Sequence, residues 1–388
     1  MDEQTTRDGA DGDGADAGAG RLRRALTSRR GRAALAGGLT VALVAGWLVI
    51  RAVDDADTDS DAAKKHCWGA WSQGEKPLRF NNDNRTFRET APTPERPRGS
   101  CTITTSWDNG ISEVHEKISV SYGTGPKDAK KRRVWLAELF AGAGDQLPEG
   151  LPGFVSEGSA TLVLPEKCDV DGRPSVVTVS GVESDGKDDT PTLPDVDFEP
   201  WQAGQLLVDI ANHGMEKAGC APEKPLGFTA PIPPGYVPDD TFVTGYSSGA
   251  CRIDGLRPAP GGGEGDGKGL DSTVGPVSDD LQTCVVRWYD TVAARLTMTA
   301  HPRLVKLFDG LTGSAPPARG WRGQGFMDAD GALVRTRCAG RTTVMSMERT
   351  DVADDTPFAA PSRIFPVYAA AVAKRLGCAA VTPHGDSI

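Results

Sequence analysis

The chain has 388 residues, a formal net charge of -10, and 47 Gly with 28 Pro, a content that points away from a helical bundle and towards many turns and long loops. Residues 1–32 hold seven Arg against six Asp plus Glu, so the remainder carries about -11, which argues against nucleic acid or an anionic lipid surface as its partner. All eight cysteines lie beyond position 66, an even number read as disulfides before metal ligation, and the absence of any C-x-x-C suggests neither a zinc ribbon nor a thioredoxin-type pair.

In chain order, residues 1–20 are rich in Asp, Gly and Ala without an aromatic residue, and 1–32 is expected to be a disordered cytoplasmic tail. Residues 33–50, AALAGGLTVALVAGWLVI, contain no charge and no proline. At about 1.5 Å per residue they would make a helix of roughly 27 Å, close to the hydrocarbon thickness of a bilayer. Six Arg between Arg21 and Arg32 precede this run, while Arg51 and then Asp54, Asp55, Asp57, Asp59 and Asp61 follow it. Positive residues stay inside, so residues 51–388 are expected outside, beginning with a juxtamembrane linker over 51–66. A cleaved secretory signal shares the basic flank, but its apolar core is usually about 7 to 15 residues, and no small-x-small site follows here. Ala34, Gly38, Ala42 and Gly46 form a small-residue stripe that would permit weak self-association of the membrane helix.

The outer part reads as two copies. Gaps of 34, 67 and 52 residues separate Cys67, Cys101, Cys168 and Cys220; gaps of 33, 54 and 40 separate Cys251, Cys284, Cys338 and Cys378. Cys101 to Trp107 matches Cys284 to Trp288, and Lys117 to Tyr122 matches Arg295 to Ala300, each of the latter pair alternating polar with apolar. Period two predicts half-buried strands. Helical patterns follow at 127–142, with Val134, Leu136, Leu139 and Phe140, and at 302–313, with Leu304, Val305, Leu307, Phe308 and Leu311. Strands are then predicted at 160–164 and 332–338, turning through Asp171-Gly172 and Ala339-Gly340 into strands at 176–179 and 343–347. A last helix in each copy carries the stripe Ala203, Leu206, Leu207, Ile210 or Phe365, Tyr368, Val372, Leu376.

The expected fold is therefore α+β: a transmembrane helix followed by two homologous domains at 67–220 and 251–378, each an antiparallel four-stranded sheet with two helices (ββαββα). A Pro-rich connector over 221–250 joins them, its Phe228, Tyr236, Phe242 and Tyr246 suggesting that it lies along a domain, and 379–388 forms a tail. Each cysteine quartet allows three connectivities. Nearest neighbours are favoured: Cys67 with Cys101, Cys168 with Cys220, Cys251 with Cys284 and Cys338 with Cys378.

Few residues suggest chemistry. Gly262 to Gly269 fits G-x-x-x-x-G-K but offers Gly269 where Ser or Thr should bind magnesium, and a solvated loop is the simpler reading. His66, His115, His213, His301 and His384 are not placed alike in the two copies, so no shared base emerges and no cofactor is expected. Asp188, Asp189, Asp354 and Asp355 recur in one loop of both copies and could hold calcium outside the cell; the bland alternative is an acidic loop suited to the positive end of the following helix. Trp107 and Trp288 read as core, whereas Trp68 and Trp71, without counterparts, read as an exposed pair able to bind a glycan or peptide.

The basic tail, the apolar span and the duplicated cysteine pattern resemble single-pass envelope proteins of high-GC Gram-positive bacteria, a resemblance that implies an extracellular, disulfide-stapled region and supplies no catalytic residues. A membrane-anchored extracellular binding or interaction module is the leading expectation, with an envelope protein or glycan as partner. An enzyme acting on envelope polymers and a signal transducer working through a cytoplasmic partner are the alternatives.

Overall fold

Alternating polar and apolar residues become long antiparallel strands. The computed structural model describes residues 65–72, 85–108, 113–156, 158–184, 189–191, 200–232, 250–253, 255–256, 270–288, 291–312, 322–350 and 360–378. A small hairpin, β1 (Lys65–His66) with β2 (Trp71–Ser72), comes first. The first large sheet contains β3 (Arg85–Thr90), β4 (Gly99–Asp108), β5 (Glu113–Thr124), β6 (Asp145–Gln146), β7 (Gly153–Ser156), β8 (Ser159–Val163) and β9 (Ser175–Ser184). Its order is β3-β4-β5-β9-β8-β7-β6, with a short β10 (Asp189–Pro191) also pairing with β9. The second sheet contains β11 (Leu270–Val274), β12 (Leu281–Trp288), β13 (Thr291–Thr299), β14 (Gln324–Met327), β15 (Gly331–Cys338) and β16 (Arg341–Arg349), in the order β11-β12-β13-β16-β15-β14.

Four α-helices stand among the described residues: α1 (Ala129–Leu139), α2 (Pro200–Lys217), α3 (Pro302–Lys306) and α4 (Pro361–Arg375). α2 buries Ala203, Leu206, Leu207 and Ile210 against Cys101, Ile118, Val120, Val177 and Leu162 of the first sheet. On the second sheet, α4 buries Phe365, Tyr368, Ala369 and Val372 against Cys284, Leu296, Met298, Met345 and Val334. Each large apolar side chain taken from water contributes about 1.5 to 3 kcal/mol, so these two stripes hold the helices down.

The expected α+β class, with four strands and two helices in each copy, is corrected to a mostly β architecture of two antiparallel sheets, one with seven strands in line and one with six. The four expected strands in each half are the central ones, β4, β5, β9, β8 and β12, β13, β16, β15. What escaped was the edges. β3 is RTFRET, with four of its six residues exposed; β6 is two residues long; β14, at the edge of the second sheet, and β7, next to β6, are four residues each and carry glycine. Edge strands are kept short or charged, so too few apolar residues remain to mark a period. The helical pattern at 302–313 yields a helix of only five residues, and Val134, expected in an apolar stripe, is 53% exposed on α1. No helix among the described residues is long and apolar enough to cross a membrane, and residues 33–50 lie outside them.

All eight cysteines are paired on the nearest-neighbour pattern: Cys67–Cys101, Cys168–Cys220, Cys251–Cys284 and Cys338–Cys378. The Asp171-Gly172 and Ala339-Gly340 turns are left-handed at both positions, with φ of 53° and 72° and of 46° and 84°. That backbone matches the twist of a two-residue hairpin, and glycine reaches it without a Cβ clash. Residues 221–232 run along α2, where Phe228 and Ile232 are buried and Asn212 exchanges two 2.9 Å hydrogen bonds with Leu226. The rest of the expected connector, 233–249, lies outside the described residues, as does Gly262 to Gly269.

A third core joins residues from both sheets. Leu136, Leu139, Phe140, Phe154, Val163 and Val176 pack with Leu281, Leu304, Val305, Leu307, Phe308, Leu333 and Val344. The short α3 is thus buried through Leu304 and Val305, with Phe140 stacked between Phe154 at 5.0 Å and Phe308 at 5.9 Å.

Candidate functional site

Of the sequence candidates for calcium, Asp188, Asp354 and Asp355 lie outside the described residues; Asp189 begins β10, and its side chain is likewise not described. Among the described residues no cluster of three or more His, Cys, Asp or Glu could hold a metal. The side chains of Trp107 and Trp288 also lie outside the described set.

The expectation that Trp68 and Trp71 form an exposed pair is corrected: both are buried in the first core. The reason is local. Cys67 and Trp68 adopt left-handed backbone, which turns the indole inward so that its Nε1 donates to Thr90 O at 3.1 Å and its edge meets Tyr122. Among the described tryptophans Trp201, at 45% exposed, is the most open to solvent, and Trp135 is partly buried.

The histidines serve local structure. His301 caps α3, its Nδ1 accepting from Arg303 N at 3.3 Å while Nε2 lies 3.2 Å from Gly150 O, a pattern that fits the neutral Nε2–H tautomer. His213 stands 3.5 Å from Glu216 one turn away, and His66 stacks on Phe87 at 3.6 Å. His384 lies outside the described residues.

Two places do combine charge with burial. The first is the seam beside the third core. Arg303 forks onto Asp169 at 2.5 and 3.1 Å and also donates to Leu164 O, while Lys306 reaches Asp169 at 2.8 Å. Burial alone would raise the Asp169 carboxyl, but these hydrogen bonds outweigh it and hold it below the usual carboxylate range. Gly144 N donates to Thr283 Oγ1 at 2.7 Å. A Cβ on Gly275 would come within 2.4 Å of Gly144 O, so that approach requires glycine.

On the same seam, Arg133 of α1 lies over the Phe326 ring at 4.1 Å, bonds Asp328 at 2.8 Å and stands 3.6 Å from Glu348. Glu348 faces Arg295 across the β13–β16 pairing. Burial pushes the Glu348 carboxyl up to about 7, with Arg133 opposing and Asp328 and Asp330 reinforcing. The cavity between them is about 30 Å³, room for roughly one water. This is a titratable seam with no space for a ligand.

The second place is a groove of about 700 Å³ beside α4, within the usual size range of ligand sites. Its walls are Ile253, Val277, Val367, Ala370, Ala371 and Val372, its cations are Arg252, Lys374 and Arg375, and Gln282 of β12 also lines it. Val277 is 43% exposed, whereas Gln282 is 2% exposed and its Oε1 has no hydrogen-bond partner among the described residues. The left-handed turn at Cys251-Arg252 resembles that at Cys67-Trp68, but it presents an exposed cation where the other buries an indole. Sequence reasoning missed this site. The available signal was the departure of Cys251-Arg252 from Cys67-Trp68; Lys374 and Arg375 alone read as cations suited to a helix C-terminus. No protein-family model, curated protein or solved structure matches the chain.

Proposed function

We propose that the chain is a non-catalytic binding module held on the outer face of a cell membrane by residues 33–50, with the tail of residues 1–32 inside. The observation that carries the binding role is the groove beside α4, where apolar walls, three cations and a buried amide meet in one concavity. The exterior placement is supported by four closed disulfides with no free cysteine among the described residues, since thiols stay reduced in the cytosol. It is also supported by the charge asymmetry about residues 33–50.

The two halves are read as sister units descended from one. In support, the strand orders β4-β5-β9-β8-β7 and β12-β13-β16-β15-β14 correspond element by element, and the disulfides join corresponding elements. The second copy then diverged at the groove, and an envelope component is its partner. The stripe of Ala34, Gly38, Ala42 and Gly46 gives the membrane helix a surface for weak self-association.

Protease added to intact cells carrying the chain with an N-terminal epitope tests the placement. The region after residue 51 should be digested while the epitope remains with the membrane fraction. Complete protection of that region in intact cells, with digestion after lysis, would overturn the proposal.

A further inference from the structure

We infer that the groove beside α4 captures the carboxyl terminus of a peptide whose last residues are small and apolar. This rests on the reading of the chain as a binding module and names the ligand class of that site. The groove makes three demands at once. First, it presents Arg252, Lys374 and Arg375 in a chain whose net charge is -10. Asp279 lies close enough to Arg375 to interact with its charge, but among the described residues neither Arg252 nor Lys374 has an ion-pair partner. All three are exposed, so an anion entering the groove would meet cations that are free to turn towards it. Lys374 and Arg375 also suit a helix C-terminus, whereas Arg252, on a separate turn, has no such explanation.

Second, Ile253, Val277, Val367 and Val372 offer apolar contact, and Ala370 and Ala371 leave room beside α4 for small side chains. Third, Gln282 presents a buried carbonyl without a donor, on the strand face that carries Cys284 and Val286 towards the second core. Buried acceptors are almost always paired, so a ligand that carries a hydrogen-bond donor suits this wall of the groove.

A peptide terminus meets all three demands with its carboxylate, its last side chains and a backbone N–H. A fatty acid lacks the donor, inorganic phosphate lacks the apolar surface, and a neutral glycan lacks the charge. The negative C-terminal end of α4 itself repels an anion, so recognition of the carboxylate falls to the three cationic side chains.

The test is fluorescence anisotropy of the full chain in detergent, disulfides intact, with a fluorescein-labelled Gly-Ser-Gly-Ala-Val-Val peptide bearing a free carboxylate. Saturable binding is expected, with the C-terminal amide of the same peptide at least about tenfold weaker. Combining Arg252→Gln with Lys374→Gln should weaken the acid at least about tenfold and flatten its salt dependence while leaving the thermal melt in place. Ala371→Trp, which fills the groove without altering charge, should abolish binding. Equal affinity for acid and amide, no saturation up to about 1 mM, or decanoate binding as tightly as the peptide would each overturn the inference. Protease shaving reports on the exterior placement independently, so failure of the peptide alone removes the ligand class and leaves the module.

Discussion

Replacing Glu348 by Gln should leave stability unchanged in acid and raise it at neutral and alkaline pH. In the native state, burial beside Phe326 and the third core pushes this carboxyl from an ordinary 4.5 to about 7, even though Arg133 stands 3.6 Å away. Asp328 and Asp330 reinforce the shift, and Arg295 faces it across the β13–β16 pairing. Below the unfolded value both states hold the proton and the group is neutral to stability. Between 4.5 and about 7 only the native state holds it, so stability falls as pH rises, and above about 7 the loss is complete. At about 1.4 kcal/mol per unit the shift corresponds to a loss of about 3 kcal/mol. Gln cannot ionise. Glu348→Gln is therefore expected to match the native chain at about pH 4 and to exceed its stability by about 3 kcal/mol at about pH 8. Urea denaturation with the disulfides oxidised, extrapolated to water across that range, measures the difference. Parallel curves for the two chains would refute the claim that desolvation dominates at Glu348.

Asp169→Asn removes the carboxylate that faces Arg303 and Lys306, leaving a guanidinium that is only 13% exposed with the solvent-exposed Glu166, 3.9 Å away, as its remaining counter-charge, and should cost about 3 kcal/mol in urea denaturation at neutral pH. Because the Asp169 carboxyl is held below its usual range, its contribution is present above the unfolded value and lost as pH falls through the native one, so the variant should lack part of the acid limb of the stability profile. Phe308→Ala empties a position in the third core and should cost about 3 to 5 kcal/mol; limited proteolysis should then open both halves together, since that core draws on both sheets. Joint replacement of Cys338 and Cys378 by Ser opens a loop with a sequence separation of 40 and should cost about 4 kcal/mol in the chain-entropy model, read from the shift in the urea midpoint.

Much of the β framework was legible locally. Lys117 to Tyr122 and Arg295 to Ala300 alternate polar with apolar because each lies in a strand whose one face packs on a helix, and that periodicity survives any tertiary arrangement. Asp171-Gly172 announced its turn because few residue pairs accept two left-handed positions in succession, whereas at Ala339-Gly340 only the glycine and the match to the first copy marked it. The cysteine intervals left three connectivities open in each quartet, and the disulfides follow the favoured nearest-neighbour one. The edge strands were not legible, because RTFRET pairs through its backbone and buries little. Nor were Trp68 and Trp71, whose burial follows from a left-handed turn that no period encodes.

By itself, then, the sequence determined the central strands, the turns between them and most of the helical stripes, all of which depend on neighbours within one hairpin or one helix; the choice among three cysteine connectivities in each quartet was left to the tertiary structure. Only the tertiary structure decided that α1 and α3 share a core drawn from both sheets, that Glu348 is desolvated there, and that Arg252 meets Lys374, Arg375 and Gln282 around one groove. Those features arise between segments separated by tens to more than a hundred residues, and a charge carries no mark in the chain of what will surround it once water has been displaced.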